Sequence, residues 1–354
     1  MHSAAARRWR SLCWPAAGPD DGVEIIYSDR YDVFGANRVS AIGDRRARQH
    51  FAVQDRKWRY QEDLVYRVQG NITIEPGHSL AYLPGRRLIE PLRGVHTELV
   101  PSLIRSTLHR ALGAPVRHFD ALLHFDGFLG QNLWHFFADA LHGLLLVDKS
   151  GLVPVDMPIL IHQRIWNSPL AQLVLNRPPI QNRRWVVQDD RSWIRTSCLY
   201  KATATQAYFR QSYALLEPLV EKQPHRNIFL DRRSRYGRRV SNKPRLERIL
   251  EKYGFETIFA EDLPYVGQIK LLAEVKNIIG IHGAGLTNLL FADIPSVRCL
   301  EILPEGYVNP HYYWMLQMTG AQRYDAIVGS RLDSGTNFTI DPAAFERQVE
   351  LLLA

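Results

Sequence analysis

The sequence predicts an α/β protein of two sheet-and-helix halves preceded by a β-rich lead-in. Three observations carry that expectation. The chain has 354 residues at 46% hydrophobic content, more than one core organises, since single cores stop growing near roughly 250–300 residues. From residue 118 onward, short apolar runs alternate with amphipathic ones, as parallel strands covered by helices require. Between 22 and 93 the pattern is instead strand-like and broken by Gly and Pro.

The opening MHSAAARRWRSLCWPAAG is basic, without an apolar run of seven or more residues behind the charges, and no later segment offers about twenty uncharged apolar residues. Residues 1–21 are therefore expected to form a flexible arm on a cytoplasmic protein without signal peptide or membrane span. The arm's charge would suit peripheral contact with acidic lipid at the inner face of a membrane. Cys13, Cys198 and Cys299 are too scattered for a CxxC clamp, and three is an odd number for a disulfide framework.

Strands are expected in GVEIIYSD, DLVYRVQGNITI and SLAYLPGRRLIEPL, then in HFDALLHF (118–125), MPILIHQ (157–163) and RRWVVQ (183–188). Helices are expected at 131–147, at SPLAQLVLN (168–176) and over TQAYFRQSYALLEPLVEK (205–222). A boundary at the polar run QPHR gives an N-terminal half of 22–222 and a C-terminal half of 223–354. In the second half, strand and helix alternate from NIFLDRR through NKPRLERILEKYG, FETIFAE, LPYVGQIKLLAEV, NIIGIHG, a helix from Ala284, VRCLEILP, HYYWMLQMTG and YDAIVG. That series reads as a Rossmann-like sheet, closed by the helix DPAAFERQVELLLA with Asp341 and Pro342 at its start.

The formal charge is +8, from 44 Lys and Arg against 36 Asp and Glu. Nucleic acid, an anionic membrane and a phosphorylated substrate all suit it. In NIIGIHGAGLTNLLF (277–291) an apolar strand runs into His282-Gly283-Ala284-Gly285 and a helix start, where glycines admit a ligand to the backbone and free N–H groups attract phosphate. A bare Gly-x-Gly is also what strand-to-helix turns need for geometry. FLDRRSRYGRRVSNKPRL places Arg232, Arg233, Arg235, Arg238 and Arg239 after another strand of the same half. Ligands of open α/β sheets sit at the carboxyl ends of strands, and guanidinium groups fork onto phosphate, so the pair of segments resembles a diphosphate clamp. A solvated basic loop is the alternative for the arginines alone. The chain has no DxD, HExxH or CxxC, so neither metal nor cofactor is expected.

QNLWHFFADALHGLLLV (131–147) is apolar except for Asn132, His135, Asp139 and His142. At about 100° per residue these four fall within roughly an 80° arc of an α-helix. Such an edge suits a wet site in which His135 takes a proton and Asp139 orients it; a satisfied His–Asp pair in the core is the alternative.

NLWHFFADAL, the RR and RRVSN segments after a strand, Gln268, IIGIHGAGLTNLLF and CLEILP together resemble glycosyltransferase family 61, including its bacterial members of capsular polysaccharide synthesis. The likeness runs over about 118–328. It implies an inverting enzyme of the GT-B fold, with two Rossmann-like domains facing a cleft, and a nucleotide-sugar donor, commonly UDP-linked. By that resemblance Arg232, Arg238, Asn242, His282, Gly283, Ala284, Gly285, Thr287, Asn288 and Glu301 serve the donor. His135 and Asp139 serve catalysis on the acceptor side, with Asn132 and His142 along the cleft. The sequence departs from the family where its aromatic pair before the histidine is Leu133 and Trp134, and where Leu-Pro-Arg becomes Leu141, His142 and Gly143. The implied partners are a nucleotide sugar and a glycan or lipid-linked glycan acceptor.

Two rivals remain at the level of sequence. A polyanion or nucleic-acid binder is permitted by charge, but no helix-turn-helix, RRM signature or zinc finger is present, and nucleic acid is not an expected partner. An NAD-dependent oxidoreductase would use the glycine turn, yet here that turn falls in the third strand-to-helix unit, whereas the dinucleotide fingerprint belongs to the first.

Overall fold

The computed structural model describes residues 19–32, 42–58, 60–89, 108, 113–125, 132–203, 208–233 and 237–354. The chain forms two compact units, the first of Met1–Arg30 and Glu62–Tyr208, the second of Tyr31–Gln61 and Phe209–Ala354. The change of unit after Tyr208 precedes the QPHR run. Most of the expected N-terminal arm, residues 1–18, lies outside the described residues.

Unit 1 contains β1 (Val23–Asp32), β2 (Tyr60–Ile74), β3 (Ala81–Leu83), β4 (Arg87–Leu88), β5 (Val116–His124), β6 (Ile159–His162), β7 (Trp185–Gln188) and β8 (Trp193–Thr203). They make one sheet in the order β4-β3-β2-β8-β5-β6-β7, with β1 on β2. The half from β8 to β7 is parallel, as the alternation predicted. β2 joins it antiparallel to β8, so the sheet is mixed. β8 was absent from the expected strands because Arg195, Thr196, Ser197 and Lys201 interrupt its apolar residues. Val68, Ile72, Leu122, Leu160, Ile194 and Leu199 fill the core beneath this sheet.

The lead-in is not all β. Arg45–Trp58 is an α-helix, with Ala47, Phe51 and Asp55 buried at four-residue spacing. Its buried apolar stripe consists of only Ala47 and Phe51 and is flanked by arginines, which hid it in the sequence. It belongs to unit 2, where Asp55 accepts hydrogen bonds from Trp314 Nε1 (3.2 Å) and Tyr313 Oη (3.4 Å). Burial pushes the Asp55 carboxyl up to about 6.

Unit 2 is built on β9 (Arg226–Asp231), β11 (Glu256–Phe259), β12 (Val275–Ile281), β13 (Arg298–Glu305) and β14 (Arg323–Arg331), all parallel, in the order β11-β9-β12-β13-β14. Numbered within the unit this is 2-1-3-4-5, the flavodoxin-like relative of the Rossmann order. A small pair, β10 (Arg239–Val240) with β15 (Asn337–Phe338), lies beside it. Helices Lys243–Lys252 and Pro342–Leu353 bury Leu246, Leu250, Phe345 and Val349 on one face against Phe229, Ile279 and Ile302. Asp341 caps the last helix by accepting from Ala343 N, as expected. The helix expected over 205–222 runs only from Phe209 to Leu216 before a 3-10 turn through Pro218, which lacks the N–H that an α-helix needs.

Candidate functional site

The order 2-1-3-4-5 puts a topological switch between β9 and β12: from β9 the chain moves to β11 on one side, and from β12 to β13 on the other. Neighbouring strands whose connections diverge leave a crevice at their carboxyl ends, where ligands of such sheets bind. β9 ends at Asp231 and β12 at Ile281, so Arg232 and His282 open that crevice.

Arg232 Nη1 donates to the His282 carbonyl at 2.9 Å. The guanidinium lies over Gly283 so closely that a Cβ there would fall 1.4 Å from Nη1. Gly283 has an extended φ of 169°, so its need is steric. The glycine makes room for the Arg232 guanidinium, a demand that the motif alone did not show. Gly285 has no such demand, since its Cβ would meet Leu230 Cδ2 at an ordinary 3.5 Å. Gly280, which the motif reading passed over, does: its Cβ would stand 2.6 Å from Leu286 Cδ2.

Ala284–Phe291 is a 3-10 helix instead of the expected α-helix. Within it Thr287 and Asn288 are fully buried. Asn288 Nδ2 donates to Gln268 Oε1 at 2.8 Å, and Thr287 lies beside Tyr312. The turn thus offers a ligand Ala284 and Gly285, which are half-buried, while Thr287 and Asn288 hold it from behind. Asn242 also faces inward, its amide taken at both ends by Ile340, donating to the carbonyl (2.6 Å) and accepting from N–H (3.1 Å). Direct donor contact by Thr287, Asn288 and Asn242 is therefore not how the structure uses these side chains.

Of the other arginines, Arg238 sits 4.9 Å above the Tyr307 ring in a left-handed conformation, φ 54°, with no hydrogen bond or ion pair among the described residues. Burial and then the charge of Arg238 push the Arg232 pKa below its ordinary value, so the two guanidiniums share one neighbourhood. Arg233 turns away to Asp262 and the Phe259 ring, and Arg239 is exposed on β10. Arg235 lies outside the described residues.

His282 is buried, with Nδ1 on Glu301 Oε1. Glu301 is fully buried behind it and takes the Tyr324 hydroxyl on its other oxygen. A group so placed cannot touch a donor, so the direct contact inferred for Glu301 does not occur in this geometry.

In unit 1, Asn132 caps the striped helix by accepting from Trp134 N at 3.0 Å. Leu133–His135 and His142–Ser150 are α-helical, but Phe136–Leu141 between them is π-helical, with His142 N bonded to Phe137 O five residues back. A π turn holds one extra residue, which rotates everything after it by about 100°. His135 and Asp139 remain together, with Nδ1–Oδ2 at 2.5 Å and side chains 31% and 38% exposed. His142 is carried inside, fully buried and 6.0 Å from the Tyr208 ring, so it leaves the wet edge on which the straight-helix reading had placed it. Asp139 borders a small cavity with Leu123, His124 and Phe125 at the carboxyl end of β5. A wider hollow of about 880 Å³ opens near Phe119, Asp120 and Thr196, toward the amino ends of β5 and β8, away from this pair.

Residues 133–299 match the family described as Glycosyltransferase 61. Over that region the chain is similar to glycosyltransferase family 61. A stretch of 82 residues, 22% of this chain, is 38% identical to the EGF domain-specific O-linked N-acetylglucosamine transferase of Drosophila melanogaster and covers 15% of that protein's length. The glycosyltransferase 61 region includes both the His135–Asp139 pair and the Arg232–Gly283 contact. Glu301, Tyr307, Tyr312 and Tyr324 lie beyond it. Sequence reading missed the last three, together with Lys243, whose Nζ meets Asp231 Oδ2 at 2.5 Å at the end of β9. Only the aromatic density of GYVNPHYYW after β13 could have signalled Tyr307 and Tyr312. Among the described residues no group of three or more His, Cys, Asp or Glu could hold a metal, and no helix is long and apolar enough to cross a membrane.

Proposed function

We propose that the chain is an inverting GT-B glycosyltransferase that moves a sugar from a nucleotide-sugar donor, UDP-linked by preference, to a hydroxyl of a cell-surface glycan such as capsular polysaccharide or lipopolysaccharide. The observation that carries this reading is the Arg232–Gly283 contact at the switch point of an all-parallel sheet, inside the family region. Unit 2 recognises the donor. Arg232 and Arg238 meet the diphosphate and offset the charge that grows on it as the glycosidic bond breaks.

In unit 1, His135 is the general base. Asp139 accepts a hydrogen bond from Nδ1–H, which leaves the Nε2 lone pair to take the acceptor's hydroxyl proton while that oxygen attacks the anomeric carbon. The half-exposed setting of the pair suits a group that must exchange protons with water each turnover. One displacement inverts the centre and needs no covalent nucleophile. Work at the cytoplasmic face of a membrane, on a glycan or lipid-linked glycan, completes the proposal.

The Drosophila relative favours a second form of the same reading, in which the sugar is N-acetylglucosamine and the acceptor a protein hydroxyl. A thermal-shift screen over UDP, GDP, CMP and dTDP tests the donor site, because a ligand held only by the folded state raises its melting temperature. Transfer from the matching nucleotide sugar to glycan or EGF-domain acceptors then separates the two forms. If none of the four nucleotides stabilises the protein, the donor reading fails.

A further inference from the structure

The donor site as read above leaves a buried line of polar groups without a task. His282 follows β12, Glu301 lies within β13 and Tyr324 within β14, three adjacent strands. Tyr324 Oη donates to one Glu301 oxygen at 2.5 Å, and His282 Nδ1 meets the other. With Nδ1 so committed, Nε2 determines what the ring presents, and among the described residues it bonds nothing. Tyr307 and Tyr312 stand edge-on to the ring at 5.5 and 5.2 Å. Arg232 holds the His282 carbonyl, and Arg238 covers Tyr307.

A bare lone pair on Nε2 repels a phosphate oxygen, whereas an Nε2–H donates to it. We propose that Glu301, backed by Tyr324, is a positioning residue that lets His282 accept a second proton as a diphosphate binds, so that donor binding takes up one proton from water. The inference rests on the donor-site reading. The Arg232 and Arg238 guanidiniums stand beside the ring. A diphosphate bound there adds two negative charges, which favour a donor at Nε2 over a lone pair. The remaining titratable neighbours stay neutral through the change: burial pushes the Tyr312 and Tyr324 phenols, and the Cys299 thiol behind Glu301, well above their ordinary values. Asp325, on β14 beyond Tyr324, is also pushed upward by burial, and Glu261 acts on Arg232 from outside.

The test is calorimetric titration of the full chain with UDP-N-acetylglucosamine and with GDP-mannose, whose diphosphate diesters gain no proton of their own near neutrality. Proton uptake is read from the dependence of the heat on buffer ionisation enthalpy. The wild type should take up close to one proton per ligand at the alkaline end, with affinity falling up to about tenfold per pH unit. Glu301→Gln keeps an acceptor for Nδ1–H but not the charge; it should abolish the uptake and weaken binding about tenfold at neutral pH. Tyr324→Phe should retain a reduced uptake, and His282→Asn none, which supplies the answer if Glu301→Gln does not fold. A merely structural Glu301 would lower the melting temperature and the folded fraction while leaving the protons per bound ligand unchanged. Wild-type binding without proton uptake, or wild-type uptake in Glu301→Gln, overturns this inference and leaves the donor site standing. Failure of the wild type to bind either probe overturns both.

Discussion

Gly283→Ala offers the sharpest perturbation, because the structure says which atom it moves. The new Cβ would lie 1.4 Å from Arg232 Nη1 and 2.7 Å from its Cζ. The backbone at 283 is extended and tolerates alanine, so the long arginine side chain must yield. Its hydrogen bond to the His282 carbonyl, 2.9 Å, is lost with the displacement. The displaced guanidinium also loses its proposed contact with the diphosphate; a hydrogen bond to a charged group is worth about 1.5–3 kcal/mol, which sets the expected loss of nucleoside-diphosphate affinity at roughly 10- to 150-fold. Calorimetry on Gly283→Ala, Arg232→Ala and the double variant forms a cycle. If the glycine acts through the arginine, the double variant binds no worse than Arg232→Ala, and the coupling is about as large as the Gly283→Ala effect itself. Losses that simply add would refute this, showing that the ligand itself fills the space above Gly283. Gly285→Ala is the control: its Cβ meets only Leu230 at 3.5 Å, so any loss of affinity there reports on ligand rather than protein.

Removing Arg238, which the protein itself leaves unpaired among the described residues, should weaken the same ligand by about 1.5–3 kcal/mol with the melting temperature unchanged; an unaltered affinity returns it to the surface. His135→Gln should lower turnover by about 10² to 10⁴ with donor affinity kept, while Asp139→Asn, which turns an acceptor into a poorer partner for Nδ1–H, should lower it less. A fully active His135→Gln enzyme would exclude this histidine as the base. Transfer should persist in excess EDTA if, as proposed, Arg232 and Arg238 carry the leaving charge; loss of activity reversed by manganese would show a metal taking that part. His162 buries a neutral ring, with Nε2–H on the Pro76 carbonyl at 2.8 Å and Nδ1 accepting from Arg164 N, and burial holds its pKa below the ordinary histidine value. The folded state therefore resists its protonation, so the stability it contributes is complete above about 6.5 and is lost as pH falls through the lowered folded value. His162→Gln, compared with wild type at each pH in denaturant melts, should flatten part of that acid loss; parallel curves would refute the assignment.

Much of the fold was legible in the chain because its determinants are local. An apolar run followed by Gly, as in NIIGIHG, has few ways to be anything but a buried strand and a turn, and Asp341-Pro342 starts a helix wherever it is put. The same reasoning singled out Arg232 and Gly283 as candidates just after strands, and His135 and Asp139 as candidates on the polar edge of an apolar helix. It failed at β8, where alternating Arg195, Ser197 and Lys201 conceal a central strand, and at Arg45–Trp58, whose short stripe is legible only against the Tyr313 ring it covers, 5.2 Å from Phe51.

Sequence by itself determined the composition of the site: basic groups after two strands of one parallel sheet, and a His and an Asp four apart on one helix. The tertiary structure decided their surroundings. One extra residue in a π turn moved His142 from the edge into the core without changing a letter of the pattern, since helical phase is set by packing along the whole helix. Likewise, the reason for Gly283 is a guanidinium 51 positions earlier in the chain, and the reason for Glu301 is a ring on one side and a phenol on the other. Such demands come from atoms brought together only when β9, β12, β13 and β14 lie side by side, and no local pattern can carry them.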